Sequence, residues 1–181
     1  MHRNAELILK KHGLPLIADG ICVLEVGAGR RYAKSPIRAL SPRRGWEYSF
    51  CDIGNWGRGK PGFIKMAGPN RIYSCSGVFD AVLSSQVVEH VAQPWLWITE
   101  LARVARSGGL VALVCPITVK EHRFPGDYFR IMPDGMRVLM ETAGLEVLVA
   151  ILESFDAECD KWITFEGACP VVDCIGVGRK P

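Results

Sequence analysis

The chain has 181 residues, 49% of them apolar and 23% charged, and a net charge of +3. That length suits one domain able to bury roughly 70% of the surface its unfolded chain exposes, and the composition excludes disorder and low complexity. The basic clusters Arg30-Arg31, Arg43-Arg44 and Arg58-Gly59-Lys60 are short. They read as solvated faces, because a nucleic-acid partner calls for a longer basic stripe with interleaved aromatics.

Seven cysteines (Cys22, Cys51, Cys75, Cys115, Cys159, Cys169 and Cys174) show no Cys-x-x-Cys spacing. Reduced thiols are therefore expected, with no disulfide framework and no metal. Residues 1–19 lack the apolar core of a signal peptide, and no run of about 18 apolar residues occurs, so a cytoplasmic chain with no membrane contact is expected.

Residues 4–12 read as a short helix, with Asn4 as its cap and Gly13 and Pro15 ending it. Ile21 to Val26, followed by Gly27-Ala28-Gly29, is a continuous apolar run that suits a buried parallel strand. Trp46 to Cys51, closed by Asp52, is the second strand, and Pro36 and Pro42 break the helix between the two. Residues 53–62 carry four glycines and a proline and read as loop; Phe63 to Met66 is a short third strand.

Phe79 to Ser84 is the fourth strand. Pro94 to Ala105 is an amphipathic helix with Trp95, Ile98, Leu101, Ala102 and Ala105 on its apolar stripe, ended by Gly108-Gly109. Leu110 to Cys115 is the fifth strand, residues 133–143 a helix capped by Gly144, and Leu145 to Leu152 and Val171 to Val177 two further strands. Alternating strands and helices predict an α/β domain with a mostly parallel sheet. The last two strands have no helical period between them, so they can pair antiparallel at the sheet edge. The expected division is an N-terminal helical segment, 1–19, acting as lid or cap, and a binding domain, 20–181.

Gly27-Ala28-Gly29 stands at the carboxyl end of a central strand, where open α/β sheets bind ligands. Glycine lets backbone approach a ligand closely and take positive φ. Asp52 closes the next strand, 25 residues after Gly27. A carboxylate there can accept from both hydroxyls of a ribose, which points to an adenosine ligand. The glycine pair alone is weak, since many βα turns hold two glycines for steric reasons. No third glycine follows and the next helix is broken, so a pyrophosphate is poorly supported. Glu25, just before the turn, would repel phosphate and suit an ammonium group.

Three blocks resemble class I S-adenosylmethionine-dependent methyltransferases. They are Val23 to Gly29, Phe79 to Val91 with its Glu89-His90, and Glu100 to Leu110 with its Gly108-Gly109. His122 to Arg130 is similar to a segment of the methyltransferase type 11 branch. The resemblance covers about residues 20–150. It implies a Rossmann-like, seven-stranded, mostly parallel sheet flanked by helices, in the order 3-2-1-4-5-7-6 with strand 7 antiparallel.

The resemblance also implies site roles. Glu25 would serve the methionine ammonium, Gly27, Ala28 and Gly29 would shape the cofactor bed, and Asp52 would hold the ribose. Ile53 would pack on adenine, and Ser85 and Gln86 would line the methionine end. The family's acid after strand three is missing from Met66 to Arg71, where Asn70 or a backbone carbonyl could substitute.

Methyl transfer from a sulfonium is an in-line displacement with a neutral leaving group, so alignment does most of the work. A base is needed only for a protonated nucleophile, and His90, His122 and Asp127 are the candidates. Each has a structural reading as well. His90 can bond backbone at a helix start, and Asp127 can pair with Arg130 to shape its loop. Trp46 and Trp95 read as core, whereas Trp56 and Trp162 could cover a substrate. The expected activity is methyl transfer to an O or N atom of a small-molecule acceptor, leaving S-adenosylhomocysteine, by a monomer or homodimer. The alternative is a binding or scaffold protein that keeps the fold without catalysis. A nicotinamide-dependent oxidoreductase would need a phosphate-cradling helix that the sequence lacks.

Overall fold

The computed structural model describes residues 3–30, 32–154 and 171–181. Arg31, Cys159, Trp162 and Cys169 lie outside them. Eight strands form one sheet: β1 (Cys22–Val26), β2 (Glu47–Asp52), β3 (Phe63–Gly68), β4 (Arg71–Ile72), β5 (Phe79–Ser85), β6 (Ala105–Pro116), β7 (Glu146–Glu153) and β8 (Asp173–Arg179). The helices are α1 (Arg3–Ile8), α2 (Pro36–Leu40), α3 (Pro94–Val104) and α4 (Pro133–Thr142).

The order is β4-β3-β2-β1-β5-β6-β8-β7. Strands β3, β2, β1, β5 and β6 are parallel, and β8 is antiparallel to both β6 and β7. This is the expected 3-2-1-4-5-7-6 arrangement with one short strand added. The extra strand, β4, folds back antiparallel on β3. Its Ile72 is buried and donates its amide to Glu100 Oε1 at 2.7 Å, which ties that edge to α3.

Alternate residues of the central strands point to opposite faces, and both faces are covered. Leu24, Val26, Val82, Val111 and Leu113 pack with Ile98 and Leu101 of α3 and Met136 and Met140 of α4. Val23, Ala81, Leu83, Ala112 and Val114 pack with Ala5, Ile8, Leu9, Leu14 and Ile17. The N-terminal segment thus contributes core residues to one face of the sheet.

Several local expectations are corrected. Pro36 opens α2 rather than interrupting it: it stands in the first turn, where no amide partner is needed, and Ser35 caps the helix through Ile37 N–H and Arg38 N–H. Asn4 lies inside α1, not at its cap, and its Nδ2 donates to Asp173 Oδ2 at 2.5 Å. The helix then widens into a π turn over Leu9–Gly13. Gly108-Gly109 does not end α3, which stops at Val104; both glycines belong to β6, where the pairing with β5 shifts register. Trp95 is 46% exposed, and Trp97 takes the core position instead. Trp46 is in the core as expected. Among the described residues no helix is long and apolar enough to cross a membrane.

Candidate functional site

The carboxyl ends of β1, β2 and β5 open on a cavity of about 600 Å³, within the range of small-molecule sites. The glycine turn forms its floor. Gly27 has φ +83°, and a Cβ there would lie 2.2 Å from Val87 Cγ2. The position therefore needs glycine both for conformation and for space. Gly29, at φ +64°, donates its amide to Asp52 Oδ2 at 2.8 Å, and Gly54 N–H donates to Asp52 Oδ1 at 2.9 Å. Two backbone amides thus fix this carboxylate on the cavity wall, each oxygen keeping further acceptor capacity.

Asp52, Ile53, Gly27, Gly29, Asn70 and Gln86 all line the cavity. Ile53 is 60% exposed, an apolar surface ready to be covered. The Asn70 Oδ1 atom is buried without a partner, while its Nδ2 donates to Gln93 Oε1 at 3.4 Å. Gln86 is the one non-glycine residue with positive φ among those described, at 60°, a strained state that clusters at functional sites. Its Nε2 donates to Asp173 Oδ1 at 3.0 Å, and Asp173 is the residue that Asn4 holds.

Three of the residues expected at the cofactor stand off the wall. Glu25 is buried, and both its oxygens accept from Ser35 Oγ, at 2.8 and 2.7 Å. Oε2 also accepts from Tyr48 Oη at 2.5 Å. Burial raises the Glu25 pKa against the opposing pull of these hydroxyls, and burial beside Glu25 raises that of Tyr48. Ala28 and Ser85 likewise do not line the cavity, and Ser85 Oγ is buried without a partner.

The roof was less legible. Trp56, from the glycine-rich loop, packs on Phe124 with ring centroids 6.5 Å apart, and the Arg30 guanidinium lies over the indole at 5.2 Å. Arg123, Phe124 and Tyr128 complete this side.

At the far end, the single turn Val88–His90 follows β5. His90 lines the cavity. Its Nδ1 lies 2.5 Å from the Gly126 carbonyl, which assigns the ring proton to Nδ1 and leaves Nε2 as an acceptor. His122 is not on the wall. Its Nδ1 lies 3.1 Å from Lys120 O, and the two imidazoles meet edge to face at 4.9 Å. Asp127 is also off the wall. It takes Arg130 at 2.5 and 2.8 Å and the His122 amide at 2.9 Å. The Arg130 guanidinium holds the Asp127 carboxyl well below the ordinary range, a poor setting for a base.

Sequence reasoning missed Glu89. It is fully buried between the two histidines, and neither carboxylate oxygen has a hydrogen-bond partner. Burial pushes it up to about 7. One donor atom each from Glu89, His90 and His122 lie within 4.8 Å of one another. The signal in the sequence was the adjacency of Glu89 and His90; their meeting with His122, 32 positions on, was not visible there.

Comparison with known proteins follows the same lines. The family described as Methyltransferase domain matches residues 73–113. An uncharacterised methyltransferase of Mycobacterium leprae (strain TN) is 34% identical over 117 residues, covering 60% of this chain and 41% of its own. The chain spans about two fifths or less of the length of such curated relatives. A solved S-adenosylmethionine-dependent methyltransferase from Archaeoglobus fulgidus superposes with a TM-score of 0.69 at 15% identity, over 97% of this chain and 92% of that one. The complex between the Haloferax volcanii Trm112 methyltransferase activator and a methyltransferase contains a chain that does so at 0.69 and 20% identity, over 98% and 90%. The structures share the fold, and the family and relatives support the resemblance to class I methyltransferases.

Proposed function

We propose that this chain of class I methyltransferase type binds S-adenosylmethionine in the cavity and passes its methyl group to an O or N atom of a small-molecule acceptor, leaving S-adenosylhomocysteine. The carrying observation is the Gly27–Gly29 turn, whose own amide aims the Asp52 carboxylate along the wall of an apolar cavity. Asp52 would hold the ribose hydroxyls and Ile53 would pack on adenine. The unpartnered Asn70 Oδ1 suits the adenine amino group, which supplies an acceptor where the family's acid is missing. Gln86 would face the methionine end. Glu25, buried and engaged by Ser35 and Tyr48 off the cavity wall, would act on the ligand only indirectly.

When bound, S-adenosylmethionine supplies a methyl group on a sulfonium that departs as a neutral thioether. The protein has to align the acceptor and exclude water, which the Trp56–Phe124 roof is built to do. His90 Nε2, free of its own proton, could take one from a protonated acceptor.

The test is thermal stabilisation by S-adenosylhomocysteine, with NAD as control. Ligand at 100 times its dissociation constant is expected to add about 2.7 kcal/mol. The shift should vanish in Asp52→Ala and shrink in Asn70→Ala. No shift at millimolar ligand would overturn the reading, and binding without turnover on any acceptor would favour the scaffold alternative.

A further inference from the structure

We infer that Glu89, His90 and His122 form a binding site for a first-row divalent cation at the acceptor end of the cavity. Three observations carry it. First, the three donor atoms converge within 4.8 Å of one another from two separate segments. Second, both histidines are oriented from behind. His90 Nδ1 is engaged by the Gly126 carbonyl and His122 Nδ1 by the Lys120 carbonyl, so that both Nε2 atoms are turned to Glu89. Metal-binding histidines are held in this way, with the second nitrogen bonded to a carbonyl or carboxylate. Third, the Glu89 carboxylate is wholly buried and accepts nothing.

The histidines do not satisfy that carboxylate. Their Nε2 atoms stand 3.7 and 3.9 Å from Glu89 Oε1, beyond hydrogen-bond reach. Arg130, the nearby guanidinium, is committed to Asp127. A cation bound at roughly 2.0 to 2.2 Å from each donor would draw the three together by about 1 Å. His122, 41% exposed, stands where the chain can supply that movement. Two imidazoles and one carboxylate favour Mn²⁺, Fe²⁺, Co²⁺ or Zn²⁺ over Mg²⁺ and Ca²⁺, and such a set leaves coordination positions open.

His90 lies on the cavity wall with Phe124 and Tyr128, so an ion held by its Nε2 would be reached from the space left for the acceptor. The ion would there coordinate an oxygen of the acceptor and make its proton more acidic, in place of proton removal by His90, whose Nε2 it would occupy, favouring hydroxyl substrates over amines. This last clause rests on the methyltransferase reading; the metal site does not.

The experiment uses the full chain, stripped with chelator and titrated with Co²⁺, Zn²⁺ and Mg²⁺ by calorimetry, with visible absorption as a second readout for Co²⁺. One equivalent of Co²⁺ or Zn²⁺ is expected to bind at least tenfold more tightly than Mg²⁺, with cobalt bands diagnostic of imidazole ligation. Glu89→Gln and His122→Ala should each weaken binding at least tenfold. Circular dichroism and the S-adenosylhomocysteine shift report whether each variant is folded. Absence of binding to the wild type, or binding unchanged in both variants, as thiol ligation would give, overturns the site. An S-adenosylhomocysteine shift without metal binding would sink the metal site alone, and metal binding without that shift would sink the cofactor reading alone.

Discussion

Glu25 and Glu89 are carboxylates taken out of water on neighbouring parts of the sheet, one in β1 and one in the turn after β5. Glu25 accepts from two hydroxyls and ties β1 to the cap of α2 and to β2. Glu89 accepts from nothing. Both cost desolvation, and only Glu25 is compensated within the described structure. The difference separates two ends of one cavity. The cofactor end is a backbone turn fixed by glycines and amides, with the Asp52 carboxylate already held and one unpartnered oxygen, that of Asn70, on its wall. The acceptor end is made of side chains whose donors still lack a partner, which is how a protein keeps a binding site at the expense of stability.

Removing each carboxylate tests that contrast. Glu25→Leu leaves the buried Ser35 hydroxyl and the Tyr48 hydroxyl without their acceptor. Each orphaned group costs about 1–3 kcal/mol, so an overall loss of roughly 3 kcal/mol is expected by urea denaturation. Glu89→Leu in chelator-treated protein is expected to be neutral or to stabilise by about 1 kcal/mol, because an unpartnered buried charge gives way to an apolar side chain of similar size. Equal destabilisation by the two changes would erase the distinction and make Glu89 structural.

The cofactor end was legible in the sequence because its signals are local. A strand, two glycines and an acid at the next strand end follow from backbone rules, and the sheet order follows from strands alternating with helices. The rest depends on contacts between distant segments. Trp95 and Trp97 both fit an apolar stripe in the Pro94–Trp97 run, and only packing against the sheet chose Trp97. The N-terminal segment, expected as a lid or cap, packs Ala5 and Ile8 into the core on one face of the sheet. The Tyr128 amide donates to the Glu89 carbonyl at 2.7 Å, and the 122–130 segment crosses the turn that carries Glu89. No residue-type pattern encodes that crossing.

A third buried carboxylate sharpens the comparison with a smaller effect. Burial alone would raise the Glu100 pKa, but the Arg103 guanidinium, at 2.7 Å to each oxygen, and the Ile72 amide overcome it and hold it below the ordinary range. Glu100 therefore contributes stability that is present above the ordinary glutamate range and is lost as pH falls through its lowered value, since the unfolded chain takes up the proton first. Glu25 works the other way. Its pKa is raised by burial, so its ionisation opposes folding as pH rises from the ordinary range through the raised value. Urea midpoints of the wild type and Glu100→Gln, measured stepwise from pH 7 to pH 3, are expected to converge at the acid end. Midpoints that stay a constant distance apart would mean that Arg103 and Ile72 do not hold the proton off Glu100, and that its place in the fold, like that of the Trp97 ring, is a matter of packing.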